Sequence, residues 1–260
     1  MTDMKHEIEL RLRQVEQQRG VKVIYAAESG SRAWGLASPD SDYDVRFVYV
    51  QPREEYLRID EQPDFIEWQL DAVYDINGWD LKKTLSQIAS GNATVFEWMN
   101  SPVVYRTSQQ WENMCPVFRQ YFSQKAAVRH YFGIAVKTFT KYLQDEKVSY
   151  KKYFYALRPL LAARYIENRH GEPPVLFEQL EGELPAELRE TVGRLLEIKR
   201  QTGESEKLPA IASISAFIEK ELEFQREMLA KLPDDRNPDY SGLNGILRGT
   251  VLGTQADVSR

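Results

Sequence analysis

The chain has 260 residues and a formal net charge of −5, and it is 42% hydrophobic, 12% aromatic and 28% charged. That composition packs a core and excludes a wholly disordered chain, and no run approaches the roughly 18 apolar residues of a membrane-spanning helix. One cysteine, Cys115, excludes a disulfide framework or a multi-cysteine metal site within the chain, and the charged start (Asp3, Lys5, Glu7, Glu9, Arg11, Arg13) predicts a cytoplasmic protein.

Residues 5–19 read as a helix, with Ile8, Leu12 and Val15 repeating on one face and Gly20 closing it. Residues 21–27 (VKVIYAA) form a β-branched and aromatic run, hence a buried strand. Gly30-Ser31 then opens a short segment that ends at Gly35. After the polar turn Ser38-Pro39-Asp40-Ser41, residues 43–50 (YDVRFVYV) are a second strand. Residues 64–74 alternate as a third, with Ile66, Trp68 and Leu70 on one face and Glu67, Gln69 and Asp71 on the other.

Helical periodicity takes over from Asn77, at 77–90, 93–99, 107–122, 124–145, 149–169, 185–200 and 209–231, interrupted by a short strand at 103–106. Pro159 is expected to bend its helix near Tyr155. Strands early and helices late predict an α+β protein, with a small mixed β-sheet core and flanking helices followed by an α-helical domain. The division is placed at 1–110 and 111–260.

Charge is unevenly spread. Between Arg119 and Arg169 lie eleven Lys or Arg residues against three acids, while the rest of the chain carries 23 bases and 36 acids. The basic stretch is also aromatic, with Tyr142, Tyr150, Tyr153 and Tyr155 among its rings. A positive segment in an acidic protein suits an anionic partner such as a nucleoside triphosphate or a nucleic-acid backbone; solvated helices with aromatic cores are the plainer alternative.

The most informative stretch runs from Ser29 to Asp44 (SGSRAWGLASPDSDYD). Asp42 and Asp44 flank Tyr43 at a strand entry, so alternation sets both carboxylates on one face. Adjacent carboxylates repel unless a cation lies between them or one takes a proton, and a hard ion such as Mg²⁺ satisfies them. Upstream, Gly30 and Ser31 follow a strand and open a helical turn. Glycine permits close approach, and amides at a helix start bind phosphate. A phosphate cradle together with metal-binding carboxylates matches what a nucleoside triphosphate requires.

These residues carry a family resemblance. Gly30-Ser31, ten intervening residues and Asp42-x-Asp44 resemble the signature of the DNA polymerase β-like nucleotidyltransferase superfamily. The surrounding SGSRAWG and SDYDVR, with residues 75–83, 92–105 and 151–164, resemble a bacterial YcgL-like group related to the RNA-repair polymerases associated with RNA ligases. The resemblance implies transfer of a nucleoside monophosphate from an NTP to an acceptor hydroxyl, with release of pyrophosphate. It also implies two Mg²⁺ ions and a third carboxylate on a neighbouring strand. Asp75 is the expected third ligand and Asp71 the reserve, while a helix N-cap for the helix at Asn77 is the structural alternative for Asp75.

Minimal members of the superfamily have Arg where Trp34 stands here, and Arg32 lies two residues earlier as a candidate phosphate ligand. A helical domain often covers the nucleotide in the superfamily, which makes Lys151, Lys152 and Arg158 candidates for its phosphates. The acceptor is expected to be RNA, with a small molecule or a protein as alternatives and no membrane partner. A non-catalytic nucleotide-binding or antitoxin-like module on the same fold is the competing reading. Lys83 is a further phosphate candidate; Asn92 and Glu97 are candidates for shaping the acceptor side. The scattered His6, His130 and His170 match no metal spacing.

Overall fold

The computed structural model describes residues 2–201 and 207–253. Helix α1 (Thr2–Arg19) leads into β1 (Lys22–Glu28), a short α2 (Gly30–Ala33), β2 (Tyr43–Val50), α3 (Arg53–Tyr56), β3 (Phe65–Leu70) and β4 (Tyr74–Asp80). There follow α4 (Leu81–Ala89), α5 (Ala93–Met99), β5 (Val104–Arg106) and α6 (Gln109–Arg119). The remainder is α7 (Gln124–Tyr142), β6 (Lys147–Ser149), α8 (Tyr150–Arg169), a 3-10 segment (Phe177–Glu183), α9 (Ala186–Gln201), β7 (Lys207–Pro209), α10 (Ala212–Lys231) and α11 (Ser241–Leu252). The mixed α/β architecture with a helical later part agrees with the expected fold class.

The chain packs as two units. The first comprises Met1–Ser29, Asp42–Phe122 and Arg236–Arg260; the second comprises Gly30–Ser41 and Ser123–Asp235.

The first unit is built on a five-stranded sheet in the order β3-β4-β2-β1-β5. β2 and β4 run parallel and the other neighbours antiparallel. On one face, Ile8, Leu12 and Val15 of α1, each fully buried, pack with Val45, Phe47 and Tyr49. Their three- and four-residue spacing gives α1 its single apolar stripe. The other face meets α4, α5, α6 and α11 through Leu85, Ile88, Val95, Phe118 and Leu243, against Tyr25 and Val48.

One expectation is corrected. The alternating run at 64–74 is not one strand: β3 ends at Leu70, a turn follows, β4 begins at Tyr74, and the residues from Asn77 continue that strand before any helix begins. The carboxylate of exposed Asp71 accepts from the amides of Val73 at 2.7 Å and Tyr74 at 2.8 Å, closing a tight turn. β4 then runs to Asp80, whose side chain accepts from the Lys82 amide at 2.7 Å and caps α4. The N-cap is therefore Asp80, and Asp75 stands free of that duty inside a strand.

In the second unit, α7, α8 and α10 pack together. α8 is its most buried element, with Phe154, Leu157, Leu160 and Leu161 fully enclosed. A two-stranded ribbon of β6 and β7 joins it.

Candidate active site

The carboxylates come first, within the first unit. β2 and β4 are parallel neighbours in a register that sets Asp44 beside Asp75 and Arg46 beside Asn77. Side chains alternate across a strand, so these four residues share one face of the sheet. Val45, Phe47 and Ile76 take the opposite face, in the core with α1. Asp42 is the residue just before β2, half-buried, and two places from Asp44 along the chain. Glu67 is exposed on β3, and Asp71 sits in the β3–β4 turn with Gln69. Of the candidates for a third carboxylate, Asp75 is thus the one paired with Asp44. Hydrogen bonds from Gln69 and then from the two turn amides hold the Asp71 carboxyl below its usual pKa, in keeping with its turn role.

Asp44 and Asp75 converge on a cation that the sequence alone did not single out. Arg46 Nη2 lies 3.0 Å from Asp44 Oδ1 and 2.7 Å from Asp75 Oδ2. Its Nη1 donates to the backbone carbonyls of Asp75 at 2.7 Å and Val45 at 3.2 Å. The side chains are 16% (Arg46), 18% (Asp44) and 24% (Asp75) exposed, so bulk water screens this trio only in part. Asn77 Nδ2 donates to the remaining oxygen, Asp75 Oδ1, at 2.9 Å. The period-two spacing of Asp44 and Arg46 was the available signal; the partner strand was needed to read it.

Glu28 supports the same corner. It ends β1 with 1% exposure, accepts the Asp44 amide at 2.8 Å on one oxygen, and takes the Tyr105 hydroxyl on the other. The Ser29 amide donates to the Asp44 carbonyl at 2.8 Å, so the backbone of Asp44 is held on both its polar groups.

Among the described residues, no three or more His, Cys, Asp or Glu side chains gather as a ready metal cage. The donor set nevertheless suits a hard divalent cation. Two carboxylates on adjacent strands already converge on one positive group, and carboxylate oxygens are what Mg²⁺ or Mn²⁺ prefer.

The remaining candidates lie in the second unit. Gly30 has φ of +59°, a left-handed conformation that glycine adopts without strain, and Ser31 behind it is buried. Arg32 Nη2 donates to the Ser41 carbonyl at 2.6 Å and ties the two ends of the 30–41 loop. Trp34 packs edge-on to Tyr155 at 5.2 Å, and the guanidinium of Arg158 lies over its ring at 4.7 Å. Arg158 is 2% exposed and donates from Nε to the Val175 carbonyl at 3.2 Å, so it forms part of this unit's core. Lys199, also buried, donates to the Leu36 carbonyl and to Ser38 Oγ at 2.9 Å. Sequence reasoning missed Lys199 because 161 or more residues separate it from these partners.

Lys151 and Lys152 stand at the start of α8, the helix that also carries Arg158. Both are half-buried on the first turn of α8, and their ammonium groups lie over the Tyr155 ring at 5.3 and 5.2 Å. Lys152 also stands 4.4 Å from the centre of Tyr142. Lys141, hydrogen-bonded to the Tyr142 hydroxyl, pulls that phenol below its usual pKa, with Lys152 and Lys137 adding to the effect. Arg129, Lys137 and Lys141 repeat at intervals of four or eight along α7 and are all exposed. They therefore form one basic stripe ending at Tyr142. Among the described residues, no carboxylate pairs with any of these three or with Lys152.

Lys83 and Asn92 have structural partners in the first unit. Lys83 pairs with Asp64 at 2.8 Å, and Asn92 caps α5 by accepting from the Thr94 amide at 3.0 Å.

Comparison with known proteins gives two matches. The profile of the RNA repair pathway DNA polymerase beta family (RlaP) matches residues 4–249. The uncharacterized protein YcgL of Bacillus subtilis (strain 168) is 41% identical over 251 residues, covering 95% of this chain and 96% of that protein.

Proposed function

The chain belongs to the RNA repair pathway DNA polymerase beta family, a DNA polymerase β-like nucleotidyltransferase family, and on that premise we propose that it is a Mg²⁺-dependent nucleotidyltransferase. The observation that carries the reading is the in-register pairing of Asp44 with Asp75, two strand-borne carboxylates converging on a cation. In this reading Asp42, Asp44 and Asp75 hold two Mg²⁺ ions. Bound there, the ions would lower the pKa of an acceptor hydroxyl and neutralise the triphosphate.

The hydroxyl oxygen attacks the α-phosphorus of an NTP. A new P–O bond forms, the α–β bridging bond breaks, and pyrophosphate leaves with that electron pair. Asp75 helps to take the hydroxyl proton. The Gly30–Ser31 turn, just beyond β1 in the chain, anchors the triphosphate through amides and hydroxyl. Arg32, Lys151 and Lys152 are proposed as further phosphate ligands, and Arg158 as the residue that fixes the ring of Trp34 in the Gly-Ser loop.

RNA is the proposed acceptor. The family's description supports it, and so does the exposed stripe of Arg129, Lys137 and Lys141 ending at Tyr142. Cations beside an aromatic ring suit a single-stranded backbone with stackable bases.

One observation favours a second reading. Arg46 gives Asp44 and Asp75 a structural use, so the pair alone does not require turnover. A non-catalytic nucleotide-binding or antitoxin-like module would keep it equally well.

Incubation with each α-labelled NTP, Mg²⁺ and either total RNA or cell lysate separates the two. Label is expected in RNA, and Asp44→Asn, which keeps an acceptor for Arg46, should lower the transfer about a thousandfold. Nucleotide binding with no label in any acceptor would instead support the module. Label in a protein or small molecule would keep the enzyme and replace RNA.

A further inference from the structure

The carboxylate pair is occupied from within the chain, and this constrains any metal that binds it. Arg46 Nη2 uses Asp44 Oδ1 and Asp75 Oδ2, while Asn77 uses Asp75 Oδ1. A divalent ion must approach such oxygens to about 2.0–2.1 Å, inside the shell that the guanidinium fills. Two positive groups that close, with little solvent between them, repel strongly. At the two oxygens it holds, the guanidinium and the ion are therefore alternatives.

From this geometry we infer that Arg46 is an exchangeable counter-cation. It holds Asp44 and Asp75 converged when no metal is bound, and it is displaced when a divalent cation enters. The inference rests on the proposed metal role of the two carboxylates and deepens it.

Charge and reach govern where the displaced guanidinium goes. With Arg46 in place, the trio carries one net negative charge; a divalent ion leaves the carboxylates neutralised and the guanidinium unpaired. Arg46 stays on the same strand face, two residues from Asp44, and an anion arriving with the metal restores its pairing. A polyphosphate chelating the metal is such an anion, and guanidinium groups bind phosphate oxygens in a planar, two-pronged manner. Metal entry and polyphosphate binding are thereby coupled: the metal releases the phosphate ligand, and the phosphate compensates the release.

The test measures Mn²⁺ binding by electron paramagnetic resonance, without nucleotide, in the full-length chain. Arg46→Gln removes the competing charge and should tighten Mn²⁺ binding about tenfold. Affinity that is unchanged or weaker would overturn the exchange, because it would mean that Arg46 does not compete or that it organises the carboxylates for metal. Arg46→Lys keeps a charge without the fork, and an intermediate affinity is expected. This variant serves if Arg46→Gln does not fold.

A readout on the unaltered protein accompanies these variants. Arginine-detected NMR should show slow rotation of the Arg46 guanidinium in metal-free protein and its release on saturation with Mg²⁺. A signal unmoved by Mg²⁺ counts against displacement. The parent reading fails separately: Asp44→Asn and Asp75→Asn that bind Mn²⁺ as well as wild type would remove the carboxylates from the metal site altogether. If neither wild type nor Arg46→Gln binds Mn²⁺, both readings fall.

Discussion

Glu28 shows how much of the site depends on single buried groups. Its carboxylate accepts the Asp44 amide and the Tyr105 hydroxyl, partners 16 and 77 residues away. Glu28→Ala leaves both donors buried without that acceptor, and an unsatisfied buried donor costs about 1–3 kcal/mol. A loss of about 2–5 kcal/mol in unfolding free energy is expected from urea titration, with Glu28→Gln, which keeps one carbonyl acceptor, losing less. A loss below about 1 kcal/mol for Glu28→Ala would show that the corner is not held this way. Glu28 was not legible in the sequence, because an acid at the end of an apolar strand reads as its exposed terminus. Asp42 and Asp44 were legible for the opposite reason: their chemistry lies in local spacing. Arg46 stood in the same stretch, but its role depends on Asp75, which only the β2–β4 pairing brings beside it.

At the scale of elements, β1, β2 and most helices followed from periodicity, whereas the β3–β4 hairpin did not. The run Asn77-Gly-Trp-Asp-Leu-Lys-Lys contains no β-branched residue, and its polar positions resemble a helix start. What keeps it a strand is pairing on both sides, parallel to β2 and antiparallel to β3, a tertiary choice that local propensity does not encode. Gly78 is the element's critical position. A Cβ there would stand 2.2–2.6 Å from the Phe47 ring, inside van der Waals contact. Glycine within a strand marks such a close approach. Gly78→Ala should therefore destabilise the first unit by about 1–3 kcal/mol or more, read as a lower thermal midpoint. Trimming the obstructing ring tests the cause: Gly78→Ala combined with Phe47→Ala should cost clearly less than the sum of the two changes. Additive losses would place the strain elsewhere. Asp75 depends on this hairpin, since a β4 displaced from β2 no longer sets it beside Asp44.

At the scale of the molecule, a net charge of −5 averages two unlike parts and predicts neither partner nor salt response. What an anionic polymer meets is the local field. Arg129, Lys137 and Lys141 lie exposed along one face of α7, and Lys152 stands beside the Tyr142 ring at its end. All four are without a carboxylate partner among the described residues, so they are available to phosphates at no cost in broken ion pairs. If single-stranded RNA engages all four, the slope of log affinity against log salt concentration should be about −3, from about 0.7 per phosphate neutralised. Fluorescence anisotropy with a labelled oligonucleotide, in buffer free of divalent ions, measures it directly. Lys137→Gln with Lys141→Gln should flatten the slope by about 1.4. Tyr142→Ala, by contrast, should weaken binding at every salt concentration while leaving the slope unchanged, because a stacked base contributes without displacing counterions. A slope unaffected by the lysine changes would move the RNA surface off α7, and no binding at low salt would remove RNA as the acceptor. The sequence made the basic segment visible as a count. Its arrangement as a stripe with an aromatic end comes from the fold, and the slope tests that arrangement.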